Sequence, residues 1–183
     1  ANASGVFTAQ QSTTVPTGAG FNNSVALTVT TPRSSIAATD VYGIRQAIEG
    51  VNVADLGWGS ASAQTITLSF WVRSSITGTY AVSFFNSAFN RSYVATYSVV
   101  SANTWEQKII TIVGDTTGTW LTDTGVGVTV FWDLGSGSNF NGTAGSWATS
   151  GQVRTSGTTN WISTNGATFF LTGVQFEVGS IPT

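Results

Sequence analysis

The sequence predicts an all-β fold, an antiparallel sandwich or barrel of about eight strands. Three observations lead there. Residues 64–73 (QTITLSFWVR) alternate strictly: Ile66, Leu68, Phe70 and Val72 share one parity, and Thr65, Thr67, Ser69, Trp71 and Arg73 share the other. Side chains of a strand point alternately to its two faces, so this pattern describes a strand with an apolar inside. Similar short segments recur along the chain between stretches rich in Gly, Ser, Thr and Asn. Finally, no segment sustains the apolar period of a long helix, and no repeat at fixed spacing marks a propeller or β-helix.

Residues 1–40 are rich in Ala, Ser, Thr and Asn and read as an N-terminal arm or an added strand pair; residues 41–183 read as the main domain. Within the first part, 21–30 (FNNSVALTVT) is a strand with Val25, Leu27 and Val29 on one side. Pro32 ends it, because proline donates no ladder hydrogen bond. Residues 41–49 (VYGIRQAIE) place Tyr42, Ile44, Gln46 and Ile48 on one face and Val41, Arg45 and Glu49 on the other; Gly43 and the β-branched and aromatic residues favour strand over helix. A Gly-rich connection, 52–59, carries Leu56 and Trp58. After the strand at 64–73 come strands at 79–86, 91–100 and 103–113, a polar loop at 114–125 that holds Trp120 and Leu121, and a strongly β segment at 126–134 (VGVTVFWDL). The longest irregular region, 135–165, contains Trp147 and Trp161, and 168–178 (TFFLTGVQFEV) is the last strand. A loop of that length draws functional attention.

Composition narrows the class. Of 183 residues only 8% are charged while 41% are hydrophobic, with 7 Trp and 11 Phe. Soluble domains usually carry about 25% charged residues. The surface is therefore built from Thr, Ser, Asn and Gly, as expected of an extracellular or virion-exposed β-protein. Net charge is −2 and the six basic residues are scattered, so the cationic footprint of a nucleic-acid binder is absent. No apolar run is long enough for a spanning helix. The chain has no His and no Cys, which removes Ser–His–Asp and Cys–His nucleophiles and ordinary zinc sites. It also lacks a Walker A run and a strand-to-helix GxGxxG. A carboxylate pair drawn from Asp133, Glu49 and Glu177 is the remaining catalytic option; the alternative is that these acids pair with arginines or backbone amides at sheet ends.

Several segments together resemble a known family: IRQAIEG at 44–50, ADLGWG at 54–59, TLSFWVRSS at 67–75, TWEQKIITIVGDTTGTW at 104–120 and LTGVQFEVGS at 171–180. This combination is similar to a domain of bacteriophage virion proteins, found near the C-terminus of tail-fibre, receptor-binding and other structural proteins, which in turn resembles carbohydrate-binding-module jelly rolls. The resemblance spans residues 41–180. It implies an antiparallel jelly-roll sandwich, a location on the virion surface, and no enzymatic activity. The implied task is contact with host cell-surface polysaccharide by a tail-fibre or receptor-binding domain; the alternative is a capsid decoration, head-fibre or cement protein that binds no sugar. The implied partners are other virion proteins and further copies of the chain, a trimer being the expected form, with neither nucleic acid nor membrane insertion.

The leading candidate site is an aromatic–arginine face. Trp71 and Arg73 project opposite the apolar side of their strand, and Arg45 has the same relation to its own strand. If the two strands are neighbours, the three residues cluster: the indole offers a plane to the C–H face of a sugar, and guanidinium donors reach hydroxyls or a carboxylate. The other reading has Trp71 covered by protein. Trp147 and Trp161 are either loop anchors or exposed binding tips. No cofactor is expected. A structural calcium, which jelly rolls of the resembled kind often hold, would draw on Asp115, Asp123 and Asn139; these equally suit turn-forming bonds. The adjacent aromatic pairs 84–85, 131–132 and 169–170 must each split between two sheet faces, so both faces of the sheets carry apolar surface.

Overall fold

The computed structural model describes residues 4–180, so the first and last three residues of the domain bounds expected above lie outside it. The strands are β1 (Val6–Ser12), β2 (Ser24–Thr31), β3 (Gly43–Glu49), β4 (Ile66–Ser74), β5 (Gly78–Phe85), β6 (Ser92–Val99), β7 (Glu106–Ile112), β8 (Val126–Asp133), β9 (Trp147–Ala148) and β10 (Thr168–Val178). They form two five-stranded sheets, β1-β2-β10-β4-β7 and β3-β8-β5-β6-β9, with every ladder antiparallel. The protein is an antiparallel jelly-roll sandwich. Among the described residues the helical segments are short 3-10 turns, and no helix is long and apolar enough to cross a membrane.

β4 behaves as its alternation predicts. Ile66, Leu68, Phe70 and Val72 are fully buried between the sheets. The polar half of the pattern is used as well. Thr67 donates to the Gly179 carbonyl at 2.8 Å, and Ser69 donates to Gln175 Oε1 at 3.2 Å. Buried hydroxyls are tolerated there because each has a partner. From the opposite sheet, Tyr97 and Trp132 meet Phe70 edge-on at centroid distances of 5.2 and 5.7 Å. That geometry matches the positive ring edge to the negative ring face and ties the layers together.

β10 shows why its sequence does not alternate throughout. Thr172 pairs with Trp71 and Gln175 with Ser69, so Gly173 and Val174 together face one residue of β4. Gly173 adopts φ +60°, the left-handed conformation that a glycine bulge requires. The inserted residue shifts the phase of the strand. Phe169 and Leu171 point inward before it, and Phe176 packs against the core after it.

The strands the sequence missed have plain causes. β1 is an edge strand whose residues are mostly exposed, so it shows no apolar alternation. It pairs with β2, and β2 with β10, which makes residues 6–31 part of the first sheet. β9 has two residues, too few to show a period.

Candidate functional site

The structure separates the residues expected to cluster. Trp71 and Arg73 stand on the outer face of the first sheet, half-buried. Arg45 is on β3, at the edge of the second sheet. The two sheets pack face to face, so their outer faces point in opposite directions. Arg73 is held in place: its guanidinium lies 4.9 Å from the Phe170 ring centroid, and its Nε donates to the Asn103 carbonyl at 2.9 Å.

The loop tryptophans are anchors. Trp161 is fully buried, packs against Phe7 and Phe169, and donates to the Thr168 carbonyl at 3.2 Å. It has no surface to offer a ligand. Trp147 is half-buried in an edge-to-face cluster with Trp58, Trp120 and Tyr93 at 5.1 to 5.4 Å, and donates to the Val113 carbonyl at 2.8 Å. This cluster pins the long loop and the 114–125 loop to one end of the sandwich.

The calcium candidates have these partners within the fold. Asp115 binds Arg91 through two bonds of 2.8 and 2.5 Å, and also accepts from Thr117 and the Trp120 indole. Asp123 accepts from the Gly125 amide at 2.8 Å, a turn bond. Asn139 sits in a 3-10 turn whose amide bonds the Ala38 carbonyl at 3.0 Å. Two of the three acids considered for catalysis are far apart. Glu49 pairs with Val126 at one end of β8, and Asp133 ends the same strand, which separates them by roughly 20 Å at the usual rise per residue. Glu177 is on β10 of the other sheet.

A different site emerges on the outer face of the second sheet. Phe84 and Trp132 fill the core, so their neighbours Phe85 and Phe131 must point outward. Register sets two rows across the sheet: Arg45, Phe131 and Ser83 in one, Ala47, Thr129 and Phe85 in the next. Over this floor stand Phe89, from the turn after β5, and Phe140 and Val153, from the long loop. Together they enclose a cleft of about 570 Å³. Phe85 and Phe89 meet edge-on at 4.7 Å, and Phe140 lies 6.4 Å from Phe89.

The walls are built to stay in place. Asn86 is 1% exposed. Its amide donates to Asn90 Oδ1 at 2.7 Å and to the Thr119 carbonyl at 3.0 Å, and its oxygen accepts from the amides of Asn90 and Arg91. This network closes the turn around Phe89, which takes φ +52°. A bulky residue there is held in a costly conformation by its surroundings, and such strain concentrates at functional sites. Gly151 allows the fit, since a Cβ on it would lie 2.1 Å from the Phe89 ring. On the loop side, Ser92 donates to the Ser150 carbonyl at 2.6 Å and accepts from the Gln152 amide at 3.0 Å.

Beside the cleft, burial pushes the Asp133 carboxyl above the usual range, while the Ser136 amide and the Arg154 guanidinium at 3.7 Å pull the other way. Arg154 is itself 4% exposed and donates to the carbonyls of Ser136 and Thr158 and to Asn160 Oδ1. This pair stiffens the root of the long loop. For Asp115, burial raises the carboxyl, but the bonds from Arg91, Thr117 and Trp120 outweigh it and hold it below the usual range.

The sequence carried a signal for part of this site. Phe85 and Phe131 are the outward members of two adjacent aromatic pairs, the residues that must be covered by something. Phe89 and Phe140 carried none, since single aromatics in polar loops have no periodicity to read.

No protein-family model matches the chain, and no curated protein matches it. Among solved structures, the chain is similar to the enzymatically active domain of tailspike protein 4 of bacteriophage CBA120, with TM-score 0.52 and 13% identity over 96% of this chain and 18% of that one. It is also similar to a CBM4 structure, with TM-score 0.47 and 13% identity over 93% of this chain and 78% of that one. A third similar structure is the family 11 carbohydrate-binding module of Clostridium thermocellum in complex with a β-1,3-1,4-mixed-linked tetrasaccharide, with TM-score 0.45 and 11% identity over 98% and 86% of the two chains. The tailspike likeness is one of fold, and the chain spans only 18% of the length of that protein.

Proposed function

We propose that this chain is a non-enzymatic glycan-binding module on the surface of a bacteriophage particle, and that the cleft on the outer face of the second sheet is its binding site. The observation that carries the reading is the cleft itself. It has the size of a small-ligand site, is floored and walled by phenylalanine rings, and is held open by hydrogen-bonded turns. Aromatic planes receive the C–H faces of sugar rings, and polar groups at the rim set orientation. Binding is reversible and needs no catalytic group; the wide separation of Glu49 and Asp133 along β8 agrees with that. The virion location is supported by the sequence resemblance at 44–50, 67–75 and 171–180. Assembly with further copies of the chain has its own support in the other outer face, where Ile109 and Val174 are 53% and 43% exposed near Trp71.

Calorimetric titration with a panel of bacterial surface polysaccharides tests the reading, with Phe85→Ala and Trp71→Ala in parallel. Losing one well-covered ring costs about 1.5–3 kcal/mol, or roughly 10- to 150-fold in affinity. Phe85→Ala is expected to lose binding to that extent and Trp71→Ala to keep it. The reverse pattern would move the site to the first sheet. No binding by the unaltered protein to any host-derived glycan would leave the capsid or cement role in its place.

A further inference from the structure

The distribution of positive charge names the kind of sugar. Four of the six basic residues are neutralised within the fold: Arg33 by Asp40, Arg91 by Asp115, Lys108 by Glu106 and Arg154 by Asp133. Arg73 lies over Phe170 and bonds a carbonyl. Arg45 differs from all of these. It is exposed on the edge strand β3, and among the described residues it takes part in no ion pair. It lines the aromatic cleft, and no carboxylate lines that cleft with it.

Arg45 also borders a second groove. Where β1 and β2 of the first sheet part from β3 of the second, the sandwich opens into a trough of about 640 Å³. Its floor includes Leu171 and Trp132, and its rim includes Gln11, Asn23 and Gln46. Amides on a rim suit hydroxyl recognition. The cleft and the groove meet at Arg45, which therefore stands at the middle of a path longer than either.

We propose that the ligand is an acidic polysaccharide: a uronate carboxylate docks on the Arg45 guanidinium, flanked by sugars in the aromatic cleft and in the β1–β3 groove. A planar guanidinium pairs with a carboxylate through two parallel bonds. A neutral glycan would leave this permanent charge unused, and the apolar walls beside it make it the point of attraction for an anion in this cleft, on a chain whose net charge is −2. The inference rests on the cleft reading and adds to it the charge and the length of the ligand.

The test uses carboxylated bacterial capsular polysaccharides, each beside its carboxyl-reduced counterpart, titrated into the unaltered protein, Arg45→Gln and Phe85→Ala. Arg45 is exposed, so Arg45→Gln is expected to unfold at the same temperature as the unaltered chain. Support for the proposal is binding that falls about tenfold or more on carboxyl reduction, falls equally in Arg45→Gln, and weakens with added salt. In Arg45→Gln the two forms of the polysaccharide should bind alike. If reduced and native forms bind equally and Arg45→Gln changes nothing, while Phe85→Ala abolishes binding, the acidic-ligand proposal falls and the cleft reading stands. If no polysaccharide of either kind binds, both fall.

Discussion

Replacing Asn86 by alanine separates the wall of the cleft from its floor. The side chain is 1% exposed and makes four hydrogen bonds. A net hydrogen bond contributes about 1 kcal/mol, and a buried group left without a partner costs about 1–3 kcal/mol. Water discounts part of this loss. Asn90 is exposed and can rehydrate once released, so its two bonds count for little. The Arg91 amide and the Thr119 carbonyl are the groups left poorly satisfied, which gives roughly 2–3 kcal/mol in total. For a chain of this size that is about 4–12 °C in Tm. Asn86→Asp is the sharper variant. It keeps the acceptor for Asn90 and Arg91 but turns an oxygen toward Asn90 Oδ1 and the Thr119 carbonyl. Both variants are expected to lower Tm in a calorimetric scan and to weaken glycan binding, because the turn that holds Phe89 at φ +52° loses its tie. Asn90→Ala, which removes only the bond from the Asn86 amide, should cost less than either. A Tm within 1–2 °C of the unaltered protein for Asn86→Ala, a shift expected of a surface change, would refute the account of how the wall is held.

Three further expectations follow from the packing. Gly173→Ala puts a side chain at φ +60° with its Cβ 2.4 Å from the Phe21 ring; the left-handed conformation alone costs about 1–2 kcal/mol, and urea unfolding should show at least that loss, with an unchanged midpoint counting against the bulge. Trp161→Ala empties a fully buried site and should cost about 3–5 kcal/mol, whereas half-buried Trp71→Ala should cost clearly less by the same denaturation measurement; equal costs would contradict the placement of the two rings. The Asp115 carboxyl is held low in the folded state, so its contribution is complete above the unfolded carboxylate range near pH 4 and is lost as pH falls through the lower folded value. Asp115→Asn should therefore be less stable at neutral pH and show a shallower acid limb in pH-dependent unfolding, and an unaltered acid limb would count against the Arg91 pairing.

Much of the fold was legible, and the failures share one cause. The parity of Ile66, Leu68, Phe70 and Val72 located the core face of β4, because a central strand must bury one side. Polar β1 gave no such signal, since an edge strand over an open groove buries little. Trp71 and Arg45 could not be placed relative to each other, because alternation gives the face of a strand but never its neighbours. The order β3-β8-β5-β6-β9 is a property of the whole chain. Trp161 read equally as a loop anchor or an exposed tip, and only the path of the loop, which folds inward, puts it in the core. The outward partners of Phe84 and Trp132 were the one local clue to the cleft, and only the register showed that Phe85 and Phe131 stand in adjacent rows of one face.

The position of β10 has a consequence for how the chain reaches this state. The last strand lies between β2 and β4, and Thr172 bonds the Asn23 carbonyl across 149 residues of sequence. Until β10 is in place, the first sheet is two fragments with facing, unpaired edges. Such long-range closure is slow, and open edges of this kind are where chains associate wrongly. Synthesis on the ribosome delivers β10 after the other strands of its sheet, so the β1–β2 hairpin must wait for it. It is then joined to the sheet by only four residue pairs, Thr168–Leu171 against Val25–Thr28. Amide hydrogen exchange should reveal that hairpin as the fastest-opening unit of the first sheet, and the yield of native protein should depend on the C-terminal strand more than on any other.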